Sequence, residues 1–155
     1  MAHLMAPQQS KPTLPVFYNV DAVVGAAPAV NKQEDVVMVQ FYFTLIAANP
    51  LSVGGTEFYS AASAVRITGN CDPATVNAIR ALQAEVKKSQ PGTIVDGRIS
   101  PAQGGYGYGG GGLFAITHLN ESVQHRHLDI WPRIDKINGC PPEIKWLVTR
   151  TVQGT

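Results

Sequence analysis

The sequence predicts an all-helical fold on three observations. Apolar residues recur at three- and four-residue intervals in separate stretches, those stretches open on capping residues, and proline or glycine interrupts the chain between them. The chain has 155 residues, 45% hydrophobic and 15% charged, enough for one ordinary core and too little for two large ones.

The first helix is expected from Asn31, which reads as an N-cap with Glu34 three positions on, while Asp35 adds charge that suits the positive end of the helix dipole. Val36, Val39, Phe43 and Ile46 form its apolar stripe, Val37, Gln40, Phe41 and Ala47 broaden it, and Asn49-Pro50 stops it. Core packing accounts for the aromatics better than a ligand shelf does. Residues 50–70, with Gly54-Gly55 and a run rich in Ser and Ala, read as a long connection with one short turn of helix.

Asp72 is a natural N-cap for the second helix and Pro73 fits its first position, where a missing N–H costs nothing. Val76, Ile79, Leu82 and Val86 give it one apolar face, and Lys87 and Lys88 suit its C-terminal end. Asp96-Gly97 then marks a tight turn and Ser100-Pro101 a further helix start. Residues 104–112 hold seven glycines and two tyrosines, which predicts a flexible loop. Leu113, Ile116, Leu119 and Val123 predict a third helix over roughly residues 114–126.

The ends of the chain differ in kind from this middle. Pro7, Pro12 and Pro15 favour an extended, mobile or partner-anchored arm, and the apolar stretch 16–30, cut by Gly25 and Pro28, reads as one short strand or an extended packing segment. Near the C-terminus, residues 129–137 suggest a short turn, and Pro142 opens a last helix with Ile144, Leu147 and Val148 as its buried stripe. The expected organisation is a Pro-rich arm over 1–22, a core domain over 23–126 with a Gly-rich insertion at 104–112, and a helical extension over 127–155.

Composition excludes several function classes. Twelve basic residues against 11 acidic give a net charge of +1, no basis for capturing nucleic acid or an anionic membrane. No stretch approaches the ~18 apolar residues of a membrane span, and the N-terminus shows no basic segment followed by an apolar run, so no signal peptide is read. The expectation is synthesis in the cytoplasm with a particle-associated or exported destination. Cys71 and Cys140 stand in no CxxC pair, and read as free thiols or as one disulfide.

No catalytic, metal or cofactor set emerges. His125 and His127 diverge by about 200° on a helix and so make a poor metal pair. His118, between the core positions Ile116 and Leu119, lacks the Cys or Ser motif that a pocket base would serve, and a satisfied helix histidine is the better reading. Glu34, Asp35, Asp72 and Asp96 are explained by capping and turn geometry. The glycine run has neither the Lys-Ser/Thr of a phosphate loop nor a strand-to-helix setting.

Three strings carry a resemblance. NKQEDVVMVQFYF, GNCDPATVNAIRALQ and IVDGRISP occur in order, preceded by VVGAAPAVN. They resemble the helix signatures, the Asp-Gly exit and the Val-Gly lead-in of the peptidoglycan-binding-like domain family, the three-helix wall-targeting modules of bacterial and phage cell-wall proteins. Coverage runs over roughly residues 23–123. Two departures stand out: Leu82 replaces the usual Phe before Gln83, and the 50–70 connection is longer than usual.

The resemblance implies an all-α protein with a three-helix peptidoglycan-binding-like core, an extended N-terminal arm and a short C-terminal helical appendage. It implies a non-catalytic module that binds peptidoglycan fragments in a shallow cleft near the Asp96-Gly97 turn, with Asp96 and Arg98 at the site, Arg98 meeting a carboxylate, and Tyr106 or Tyr108 stacking on the ligand. The rival expectation keeps the fold as a structural or adaptor part of a phage, contractile injection particle or secretion-effector complex. Its protein partners would dock on the N-terminal arm and the C-terminal helix, where Trp131 and Trp146 stand as candidate anchors.

Overall fold

The computed structural model describes residues 2–5, 16–50, 55–102, 108–109, 112–113 and 115–153. In chain order the elements are β1 (His3–Met5), β2 (Phe17–Asn19), β3 (Val24–Gly25), α1 (Gln33–Ala48), α2 (Thr56–Ser63), α3 (Pro73–Lys87), β4 (Arg98–Ile99), β5 (Tyr108–Gly109), β6 (Gly112–Leu113), α4 (Ala115–Arg126), a 3-10 turn (Ile134–Lys136) and α5 (Pro142–Gln153). The strands form three small antiparallel pairs, β1–β2, β3–β4 and β5–β6, so the fold is mostly helical.

The centre is α1, which packs against α2, α4, α5 and β3. Its residues from Asp35 to Phe43 are all buried, the mark of a helix enclosed on every side rather than laid on a surface. Met38 and Tyr42, outside the expected stripe, are as fully buried as Val36 and Phe43. One continuous core runs from Phe17, Tyr18 and Val20 through α1, α3 and α4 to Ile144, Leu147 and Val148 of α5. Each such aliphatic or aromatic side chain contributes roughly 1.5–3 kcal/mol on burial.

Three expectations meet a different outcome. Residues 1–22 were expected to be an arm, yet Ala2, Phe17, Tyr18 and Val20 are fully buried, and β1 pairs with β2 in the register His3 to Asn19. The alternation that would announce β2 is absent because all three of its residues are buried. The proline-bearing residues 7, 12 and 15 lie outside the described residues, as does most of the glycine run. Within the 50–70 connection stands a true helix, α2, started by Gly55 at φ 73° and held by Phe58 and Ala62; Phe58 meets Phe43 edge-on at 6.3 Å.

Asn31 is the third. The helix begins one position later, with Lys32 at the N-cap and no side-chain cap bond. Asn31 sits at φ 54°, and its amide clasps Gly25: Gly25 N donates to Asn31 Oδ1 at 2.8 Å, and Asn31 Nδ2 donates to Gly25 O at 3.0 Å. Asp35, buried, accepts instead from Asp21 N at 3.2 Å and Ala22 N at 3.1 Å.

Side-chain amides take over much of the work that longer strands would do. Asn120 of α4 accepts from Tyr18 N at 2.8 Å and donates to Tyr18 O at 2.9 Å. Asn19 holds Ala102 the same way, at 2.9 and 3.0 Å. Gln40 of α1 and Gln83 of α3 each cradle a glycine turn. Gln40 Oε1 accepts from Thr68 N and Gly69 N, both at 2.9 Å, and Nε2 donates to Asn70 O at 2.8 Å. Gln83 Oε1 accepts from Asp96 N at 3.1 Å and Gly97 N at 2.9 Å, and Nε2 donates to Arg98 O at 2.8 Å.

The two turns correspond residue for residue. Gly69 and Gly97 have φ of 80° and 72°, and the side chains of Thr68 and Asp96 each accept from the backbone N–H two residues on, Asn70 at 3.2 Å and Arg98 at 3.0 Å. A helix glutamine that satisfies three backbone groups of a turn is therefore used twice. The expected cap of α3 is present, since Asp72 Oδ1 accepts from Thr75 N at 3.0 Å and Thr75 Oγ1 at 2.7 Å. The hydroxyl contact holds the Asp72 carboxyl below the usual carboxylate range.

Candidate binding cleft

The two strands β3 and β4 bring distant parts of the chain together, Val24 opposite Ile99 and Gly25 opposite Arg98. A side chain at Gly25 would overlap the Gly97 carbonyl, and its φ of 139° is open to glycine alone. Ala26 N donates to Gly97 O at 3.0 Å, so the loop that follows leaves the β3–β4 pair at a fixed angle. Asn31 closes that loop by its clasp on Gly25.

Across from this loop lie the first two turns of α3 and the end of α2. Between them is an open cleft of about 760 Å³, lined by Gly25, Ala26, Ala27, Ala29 and Asn31 on one side, by Ala61 and Ala64 of the α2 end, and by Cys71, Pro73, Ala74, Val76, Asn77 and Arg80. The volume is that of a small-molecule or peptide site. Short side chains on both walls keep it open, and none of the lining residues is aromatic or acidic.

Arg80 is the one charged lining residue. It is exposed, and its stem lies over Gly97: a Cβ placed there would sit 3.0 Å from Arg80 Nε and 3.2 Å from Arg80 Cγ. The residues three and four positions away on α3, Val76, Asn77, Gln83 and Ala84, include no acid. The guanidinium thus lies beside the glycine turn without a helical ion-pair partner. Asn77, exposed and one turn before it, presents an amide to the same cleft. Cys71 is half-buried, and burial together with the neighbouring Asp72 pushes its thiol up, which keeps it protonated and a weak nucleophile. Cys140 is buried and pushed up to about 12, and both cysteines are free thiols.

The residues singled out by sequence stand beside this cleft rather than in it. Asp96 accepts from Gln83 Nε2 and Arg98 N, both at 3.0 Å, and so organises its own turn. Arg98 Nε lies 3.9 Å from Asp96 Oδ2. Neither side chain lines the cleft. Tyr106 lies outside the described residues, and Tyr108 enters β5, opposite Leu113 of β6. His118 and His125 line a second cavity of about 200 Å³ with Tyr59, Glu121 and Arg126, and His118 Nε2 contacts Gln90 Nε2 at 3.3 Å. Among the described residues no cluster of three or more His, Cys, Asp or Glu is placed to hold a metal ion, and no helix is long and apolar enough to cross a membrane.

Sequence reasoning missed Arg80 and Asn77, whose one signal was an arginine on the polar face of α3 with no acidic residue at helical spacing. Comparison with family models, with curated proteins and with solved structures finds no match to this chain.

Proposed function

We propose that the chain is a peptidoglycan-binding module that acts by binding rather than by catalysis. The observation that carries this reading is the doubled helix-glutamine and glycine-turn unit. Gln40, which meets Gly69, and Gln83, which meets Gly97, are the glutamines of two of the strings on which the resemblance rests, DVVMVQ and ATVNAIRALQ with its DG exit. The second unit ends at the β3–β4 contact that shapes the cleft, and in this reading the cleft takes a wall fragment. Co-sedimentation with purified, insoluble peptidoglycan tests the reading. Saturable retention is expected, and retention no greater than that of an unrelated protein of similar charge overturns it.

A second reading, a structural or adaptor component of a phage, injection particle or secretion-effector complex, draws on α5. Trp146 is 54% exposed there, and the Arg150 guanidinium stands 4.2 Å over its ring, a pairing suited to a protein contact. Partner binding that Trp146→Ala abolishes, in a chain that the wall does not retain, would favour this reading.

A further inference from the structure

We infer that the cleft between the Gly25–Ala29 loop and α3 is a binding site for the carboxylate end of an extended peptide, and that Arg80 reads that carboxylate. This names the site and ligand chemistry within the wall-binding reading and rests on it.

Charge sets the first term. Arg80 is the sole charged lining residue, no acidic residue shares the cleft, and among the described residues no carboxylate lies within ion-pair reach of its guanidinium. A planar guanidinium whose stem lies over Gly97, with no carboxylate partner among the described residues, offers the fork for bidentate pairing with a carboxylate. The absence of an aromatic lining residue sets the second term, since a sugar ring has nothing to stack on. Alanines on both walls leave width for an extended main chain. Asn77, one helical turn before Arg80 and exposed to the cleft, can donate to and accept from a peptide unit that precedes the carboxylate.

The same geometry explains why Arg98 is not the reader. Its backbone is committed to β4 and to Gln83, and its side chain leans toward Asp96 outside the cleft.

The experiment is an NMR titration of the isotope-labelled full chain with acetyl-trialanine carrying a free C-terminus and with the same peptide as its carboxamide. The free acid is expected to shift the amides of Ala26, Ala27, Ala29, Asn77 and Arg80 saturably. The carboxamide should bind about tenfold or more weakly, as loss of a charge-assisted bidentate pair requires. Arg80→Ala should remove the preference for the acid, and Arg80→Lys should restore part of it, because lysine keeps the charge and loses the fork. Equal binding of acid and amide by the wild-type chain overturns the inference without reference to any variant, as does an absence of shifts at these residues. If the wall retains wild-type and Arg80→Ala protein equally, the wall-binding reading survives and this site does not. If the chain binds the free acid but is not retained by the wall, the cleft stands and the wall-binding reading falls.

Discussion

Replacing Gln83 by leucine preserves the helix and most of the side-chain volume but removes four hydrogen bonds at once. Gln83 is 4% exposed; its Oε1 accepts from Asp96 N and Gly97 N, and its Nε2 donates to Arg98 O and Asp96 Oδ1. The Gly97 N–H is buried, and stranding such a donor costs about 1–3 kcal/mol. Asp96 N and Arg98 O are partly exposed and regain water, so each loses about 0.5 kcal/mol. Together these give a destabilisation of about 3 kcal/mol for Gln83→Leu. For a domain of this size that corresponds to a fall of about 6–12 °C in Tm. Urea unfolding followed by circular dichroism measures it, with the dependence on denaturant expected to stay unchanged while the midpoint falls. Gln40→Leu should behave alike, because Gly69 N is buried in the same way, and Thr75 Oγ1 loses one of its two partners while keeping Asp72. A change within about 0.5 kcal/mol of wild type for both variants would refute the cradle as a source of stability.

Removing the α3 cap by Asp72→Ala should cost about 1 kcal/mol at pH 7. The hydroxyl of Thr75 lowers the folded carboxyl, so the cap's contribution is present above the unfolded value of about 3.9 and is lost as the pH falls through the lower folded value; the gap between variant and wild type should close there in acid unfolding curves. Asp35 has the opposite sign. Burial raises its folded carboxyl, so this group favours the fold most below about pH 4 and progressively less as the pH rises through the folded value. Asp35→Asn, which keeps an acceptor for Asp21 N and Ala22 N, should therefore gain stability over wild type at pH 7, and the gain should vanish toward pH 4. Gly25→Ala should cost about 2–4 kcal/mol through its clash with the Gly97 carbonyl, whereas Gly139→Ala, with φ 81° and open space around it, should cost only about 1–2 kcal/mol for its backbone conformation. Thermal unfolding of the two side by side checks the order.

What the sequence made legible was local. The cap of α3 was readable because Asp72 and Thr75 are three residues apart, and the stripes of α3, α4 and α5 were readable because one face of each meets the core. Asn31 misled because the residue type that caps a helix also clasps a turn, and its partner Gly25 lies behind it in the chain. α1 was underestimated because a helix enclosed on all sides has no polar face to set a period against. Residues 17–20 read as weak strand because their burial comes from α4 and the 131–133 turn, through Asn120 and through Tyr18 Oη, which donates to Pro132 O at 2.7 Å.

The site was legible only to its neighbourhood. Asp96-Gly97 marked the right turn, but the cleft exists because Gly25 approaches Gly97 from a distant part of the chain. Arg80 became a candidate only when the short walls around it were in place. Its position on α3 alone gave the absence of an acidic neighbour and nothing more.

The most direct test of wall binding through this cleft is a pair of binding isotherms on insoluble peptidoglycan, wild type beside Arg80→Ala, at equal ionic strength. Saturable wild-type binding that weakens about tenfold or more in the variant is the expected result. Wild-type retention at the level of an unrelated protein, or isotherms that superimpose, would contradict it.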